Sequence, residues 1–209
     1  MTKDQKEKLK LNDLQKRLLV GLLLGDGHLE TTNGRTYRLR VEHSESQKEY
    51  LNWLFNQFKE WMTAVEPKRK VRADGRVSYE MVTCYHGAFR FYAQQFYVGK
   101  KKRIPLLFNR MISDEVLAIW FMDDGSRKSS KHKTFIIHTL GYNFSDLERV
   151  CKGLNKVFGL EVTIHKQRNK TWRLYIPSKS AELFSTLVFK LMKKIPSMLY
   201  KLENNMPKL

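Results

Sequence analysis

A motif written twice constrains this chain more than any other feature. Leu19-Val20-Gly21-Leu22-Leu23-Leu24-Gly25-Asp26-Gly27 and Leu117-Ala118-Ile119-Trp120-Phe121-Met122-Asp123-Asp124-Gly125 are both apolar runs that end in Asp-Gly. Asp26 and Asp124 stand 98 residues apart (124 minus 26), close to half of the 209-residue chain, so an internal duplication is the simplest reading. The expected halves are 1–110 and 111–209, fused without a recognisable linker. Asn12-Asp13 and Ser113-Asp114-Glu115 supply N-caps for two helices, and Gly27 and Gly125 follow the aspartates as C-terminal glycines would. A helix C-terminus carries partial negative charge and favours cations, so something positive should meet each aspartate.

Lys and Arg number 39 against 21 Asp and Glu, a net charge of +18 that predicts a polyanionic partner. An apolar content of 42%, with 12% aromatic residues, suffices for a packed core and excludes a disordered basic tail. No run reaches the roughly 18 to 20 apolar residues needed to span a bilayer, and residues 1–8 contain no apolar signal core. An intracellular protein without a membrane partner is expected, in an organelle (mitochondrion or chloroplast) or the bacterial cytoplasm. Cys84 and Cys151 lack metal-binding spacing and read as buried thiols.

The segments after each motif repeat the same order. Residues 35–43 alternate as a half-buried strand, with Tyr37, Leu39 and Val41 inward and Arg38 and Arg40 outward. Residues 48–62 have helical spacing, 65–84 read as a hairpin turning at Ala73-Asp74-Gly75-Arg76, and 87–97 as a closing helix. The second half gives a strand near 134–139, a helix over 145–158, a hairpin over 161–176 and a helix over 179–192. A polar loop is expected between each motif and its first clear strand. The spacing of Trp53, Phe55, Phe58 and Trp61 assigns them to the core rather than to base stacking.

With two motifs at this spacing in a basic chain, the sequence resembles the LAGLIDADG homing endonucleases of the single-chain branch. The resemblance covers nearly the whole chain. It implies an α+β fold of pseudo-two-fold duplicated αββαββα repeats, whose antiparallel sheets form a DNA-binding saddle. It further implies a monomeric, site-specific double-strand DNA endonuclease that cuts a long asymmetric target. Within the same fold, an intron RNA maturase and a catalytically silent DNA-binding protein are the alternatives.

The resemblance makes Asp26 and Asp124 the acidic metal ligands, each in the eighth motif position, with Gly25 and Asp123 in the seventh. Residue chemistry agrees, because two adjoining carboxylates repel unless divalent cations bridge them. All-oxygen ligands favour Mg²⁺, with Mn²⁺ as a substitute. Neighbouring helix residues point in different directions, so Asp123 is expected to be secondary to Asp124. Family members carry a basic residue near each centre. Lys102 lies 76 residues after Asp26 and Lys201 lies 77 after Asp124, which pairs them, whereas aligning the Ile-Pro pairs sets Lys193 opposite Lys102. DNA contacts are expected from Arg38, Arg40, Lys68, Lys70, Arg72 and Arg76 in the first half, and from Lys133, Lys166, Arg168, Lys170 and Arg173 in the second. The sequence departs from the family pattern at Ile119 and Trp120, which enlarge the second motif helix. It departs again at Leu140, where a polar Gln is common, leaving His138 as a substitute and Glu42 or His43 for the corresponding role in the first half.

Overall fold

The computed structural model describes residues 3–128, 133–167, 171–203 and 206–207. A short helix α1 (Lys3–Glu7) precedes the first motif helix, α2 (Asp13–Leu24). The start of α2 is fixed by a capping box: Asn12 Oδ1 accepts from Gln15 N–H at 2.8 Å, and Gln15 Oε1 accepts from Asn12 N–H at 3.1 Å. The order continues through β1 (His28–Glu30), β2 (Arg38–Ser44), α3 (Lys48–Gln57), β3 (Lys68–Val71), β4 (Val77–Val82) and α4 (Arg90–Phe96). A two-stranded ribbon, β5 (Tyr97–Val98) and β6 (Lys101–Lys102), and a short helix α5 (Phe108–Met111) lead into the second motif helix. That helix, α6 (Asp114–Asp124), is followed by β7 (Gly125–Arg127), β8 (Phe135–His138), α7 (Phe144–Phe158), β9 (Thr163–Lys166), β10 (Trp172–Ile176) and α8 (Ser178–Met192).

The two four-stranded sheets share one strand order, β1-β2-β4-β3 and β7-β8-β10-β9, and every pairing is antiparallel. The duplicated αββαββα order is therefore present. The first strand of each sheet begins directly after its motif, where sequence alone suggested a polar loop. At three residues each, β1 and β7 are too short for alternation to reveal. Helix α3 ends at Gln57, earlier than the spacing implied, and a 3-10 turn (Lys59–Trp61) continues it.

Burial alternates along β2, with Leu39 and Val41 inward, whereas β4 buries Ser78 and Glu80 as well as Tyr79 and Met81, and the paired Arg40, Glu42, Ser78 and Glu80 form the outer row. Phe55, Phe58 and Trp61 are core residues and Trp53 packs against them, as the helical spacing required. One hydrophobic core runs through both halves, with α2 and α6 at its centre. Leu18, Leu19, Leu22 and Leu23 are all fully buried there, each worth about 1.5–3 kcal/mol of transfer free energy. The two helices approach closely because Gly21 faces Ile119: a Cβ on Gly21 would lie 2.6 Å from Ile119 Cβ and 2.9 Å from the Val116 carbonyl. The bulk of Ile119 is thus met by a glycine on the other helix.

The motif glycines do not act as left-handed caps. Helix α2 is capped at Gly25 with φ −99°, and α6 at Gly125 with φ −87°. What excludes a side chain is close packing, since a Cβ on Gly27 would lie 2.8 Å from Leu22 Cβ and one on Gly125 2.0 Å from the Phe121 ring. The 110/111 boundary falls inside α5, which lies against α7 at Gly153, where a Cβ would meet Asn109 Oδ1 at 2.2 Å. Cys84 is buried, Cys151 half-buried, and both are free thiols.

Candidate active site

Both motif aspartates arrive at the same end of the α2–α6 pair, in different local settings. Asp124 closes α6 and is half-buried, whereas α2 stops at Leu24 and leaves Asp26 in the following turn, with 46% of its side chain exposed. Burial, and then the nearby charge of Asp26, push the Asp124 carboxyl up to about 7. The charges of Lys102 and Lys201 oppose this rise without cancelling it.

Two lysines meet the helix ends. Lys102, presented by β6, donates to the Gly25 carbonyl at 2.7 Å. Lys201, in a 3-10 turn (Pro196–Lys201), donates to the carbonyl of Met122 and lies 3.4 and 3.3 Å from the carbonyls of Phe121 and Asp123. Each ammonium sits where α2 or α6 exposes its last carbonyls, satisfying the macrodipole that the aspartates oppose. Burial lowers both lysine pKa values, while the three aspartates pull them back up. Lys193, the alternative partner by Ile-Pro alignment, is exposed beyond the end of α8.

Asp123 behaves unlike its neighbour. Its side chain is fully buried, with Oδ1 accepting from the Tyr50 hydroxyl at 2.8 Å and Oδ2 accepting from the Asp26 backbone N–H at 3.0 Å. The carboxylate expected as a secondary metal ligand thus also holds the Asp26 turn. Burial, followed by the charges of Asp26 and Asp124, holds it well above the usual carboxylate range. Gly25 occupies the matching position in the first motif, and a Cβ there would stand 2.4 Å from Asp123 Oδ2. Asp123 still offers a carboxylate oxygen that, with one ligand atom each from Asp26 and His43, forms a group lying within 4.8 Å of one another, whereas the Gly25 carbonyl already accepts from Lys102.

His43 is the residue sequence reasoning left undecided. It sits on the buried face of β2, its side chain 1% exposed, with Nδ1 3.7 Å from Asp26 Oδ2 and Nε2 3.7 Å from Asp123 Oδ1. Its neighbour Glu42 instead faces outward, accepting from Ser78, Lys70 and Arg72. In the second half, His138 lines the cleft beside Asp124, and Leu140 is exposed. Tyr142 went unnoticed in the sequence. Its hydroxyl donates to the Leu24 carbonyl at 2.9 Å and ties the second half to the end of α2.

The predicted DNA contacts divide by half. Arg38 and Arg40 are bound by Glu30, Arg40 and Lys70 by Glu80, Lys70 and Arg72 by Glu42, and Arg76 by Asp74. Lys68 and Lys133 are exposed. Lys166 and Arg173 line an open groove at the far edge of the second sheet, while Arg168 and Lys170 lie outside the described residues.

Comparison with known proteins agrees with this architecture. Residues 16–184 match the LAGLIDADG DNA endonuclease family. The chain is 32% identical over 200 residues to the probable intron-encoded endonuclease 1 of Wickerhamomyces canadensis, covering 92% of this chain and 85% of the relative. It is 26% identical to DNA endonuclease I-ChuI of Chlamydomonas applanata over 198 residues (86% and 91% covered), and 27% identical to cytochrome b mRNA maturase bI2 of Debaryomyces hansenii over 198 residues (90% and 73% covered). Among solved structures, homing endonuclease I-WcaI bound to its DNA recognition sequence aligns with a TM-score of 0.87 at 28% identity, over 99% of this chain and 92% of that one. Duplicated repeats, paired motif helices and a match spanning most of its length place this chain in the LAGLIDADG DNA endonuclease family.

Proposed function

We propose that this protein is a homing endonuclease that binds a long asymmetric duplex as a monomer and hydrolyses one phosphodiester bond in each strand. The observation that carries the reading is the placement of Asp26, in the turn after α2, and Asp124, at the end of α6, at the same end of the paired motif helices, with Lys102 and Lys201 fixed on the last carbonyls. The relatives named endonucleases, and the I-WcaI complex with DNA, support the substrate class. The chain's +18 charge suits a phosphate backbone.

The donor set fits hard divalent ions: two carboxylates, with Asp124 raised by burial and by the charge of Asp26, beside the carbonyls of Gly25 and Asp123. Asp26 and Asp124 would hold Mg²⁺, or Mn²⁺ in its place, and such an ion supplies a water activated for attack and neutralises charge on the phosphate. The protein's own contribution is positional. Asp123 fixes the Asp26 backbone, and Lys102 and Lys201 deliver positive charge to the helix ends without swinging on long side chains. The halves, divided at 110/111, each cover one side of the target.

The test is selection of bound duplexes from a randomised library in Ca²⁺, followed by Mg²⁺ challenge. Cuts in both strands of one sequence, lost in Asp26→Asn and Asp124→Asn while binding persists, are expected. Binding without cuts would leave a DNA-binding protein of the same fold. Relatives named maturases make intron RNA the second substrate to assay. Binding to RNA with none to DNA would replace the nuclease reading.

A further inference from the structure

The two sheets carry different chemistry on their outer faces. On the first, acids and bases alternate in one chain of contacts: Glu30 holds Arg38 and Arg40 at 2.8 and 2.9 Å, Glu80 binds Arg40 and holds Lys70 at 2.6 Å, and Glu42 holds Lys70 and Arg72 at 3.1 and 3.2 Å. The strand register sets this up, since Arg38 pairs with Glu30, Glu42 with Glu80, and Lys68 with Glu80. On the second, strands β7–β10 contain Arg127, Lys166 and Arg173 and no Asp or Glu, and among the described residues only Arg127 of these is held by an acid, Glu203, which lies outside the sheet. Lys128 and His165 pack instead on the Tyr175 ring, at 5.0 and 4.4 Å from its centroid.

Carboxylates on a DNA-facing surface repel phosphate and lower affinity. The more exposed of these pairs, such as Arg72–Glu42, add only about 0–1 kcal/mol each to folding. Their effect on recognition is larger, because an Arg held between two carboxylates presents its fork in one orientation, and a carboxylate accepts from cytosine N4 but not from phosphate. Building on the endonuclease reading, we propose that Glu30, Glu42 and Glu80 are specificity-determining residues. They fix Arg38, Arg40, Lys70 and Arg72 as the base-reading surface of the first half-site, while the second sheet, whose strands carry no acid of their own, grips its half-site mainly through phosphates.

The test is a specificity profile of the full chain, scoring every single-base change in the selected target for binding in Ca²⁺ and cleavage in Mg²⁺. In the wild type, most discrimination should fall in the half-site under the first sheet. Glu80→Gln keeps the side-chain shape and should lower discrimination there at least tenfold. It should also tighten binding to unrelated duplex and steepen the log–log salt slope by up to about 0.9, for the one negative charge removed from beside Arg40 and Lys70. Arg173→Gln should weaken binding to all sequences alike and leave the profile unchanged. Discrimination equal in the two half-sites, or unchanged in both Glu80→Gln and Glu42→Gln with melting temperatures intact, would overturn the proposal while leaving the nuclease standing. A wild type that neither selects nor cuts any duplex would sink the nuclease reading, and this proposal with it.

Discussion

Replacing Asp124 by Asn should stabilise the metal-free protein above neutral pH. The Asp124 carboxyl is pushed up to about 7 from an ordinary 3.8 by burial and by Asp26, so the folded state holds a proton that the unfolded chain releases near pH 4. An acid raised in the folded state makes its cost felt as pH climbs from the unfolded value to the folded one, and above pH 7 the full cost is present. A shift of about 3 units at 1.36 kcal/mol each gives roughly 4 kcal/mol at pH 8, of which about 2–3 kcal/mol develops between pH 5 and 8. The Asp124→Asn substitution removes the charge at nearly constant volume, so the gain should approach a few kcal/mol at pH 8 and vanish near pH 4. For a chain of this length that is about 5–15 °C in Tm. Parallel thermal melts of wild type and variant in EDTA from pH 4 to 8 measure it, because background titrations cancel in the difference. Mg²⁺ should then raise the wild-type Tm at pH 8 more than that of the variant, since a bound cation relieves the repulsion the substitution deletes. If Asp124→Asn were no more stable than wild type at pH 8 in EDTA, or if its advantage failed to shrink on acidification, the crowded-carboxylate account would be refuted.

Three further outcomes follow from close contacts. Gly21→Ala places a Cβ 2.6 Å from Ile119 Cβ and should cost about 1–3 kcal/mol by urea titration, with Ile119→Ala added to the same chain recovering part of the loss. Tyr50→Phe strips the Asp123 carboxyl of its 2.8 Å donor and should cost about 1–3 kcal/mol while slowing cleavage. Retained stability and rate would show that Asp123 needs no such anchor. Lys102→Met removes the ammonium held 2.7 Å from the Gly25 carbonyl and should lower single-turnover cleavage about 10²-fold with little change in Ca²⁺-supported DNA binding. Equal loss of binding would make Lys102 a phosphate contact instead.

The parts of this fold written as local periodicity were readable from the sequence. Capped motif helices, alternating strands and helical spacing specify the order of elements, and repetition of that order explains why Lys102 and Lys201 fall in the same phase after their aspartates. The parts that depend on what lies across the axis were not readable. Motif positions three and seven lie one turn apart on one helix face, and each meets its own counterpart: Gly21 against Ile119, Gly25 against Asp123. In both pairs the small residue belongs to the first motif and the large one to the second. Seen singly, Ile119 looks like a poor interface residue and Asp123 like a spare ligand, because the space that accommodates each belongs to a glycine 98 residues earlier in the sequence. Two copies of the second motif would set Ile against Ile and a buried carboxylate against another, while two copies of the first would leave both spaces empty and Asp26 N–H without its acceptor. The duplicated helices pack closely because they have diverged in opposite directions at these two positions. That divergence gives the two aspartates unequal surroundings, one on an anchored turn and one at the end of a helix.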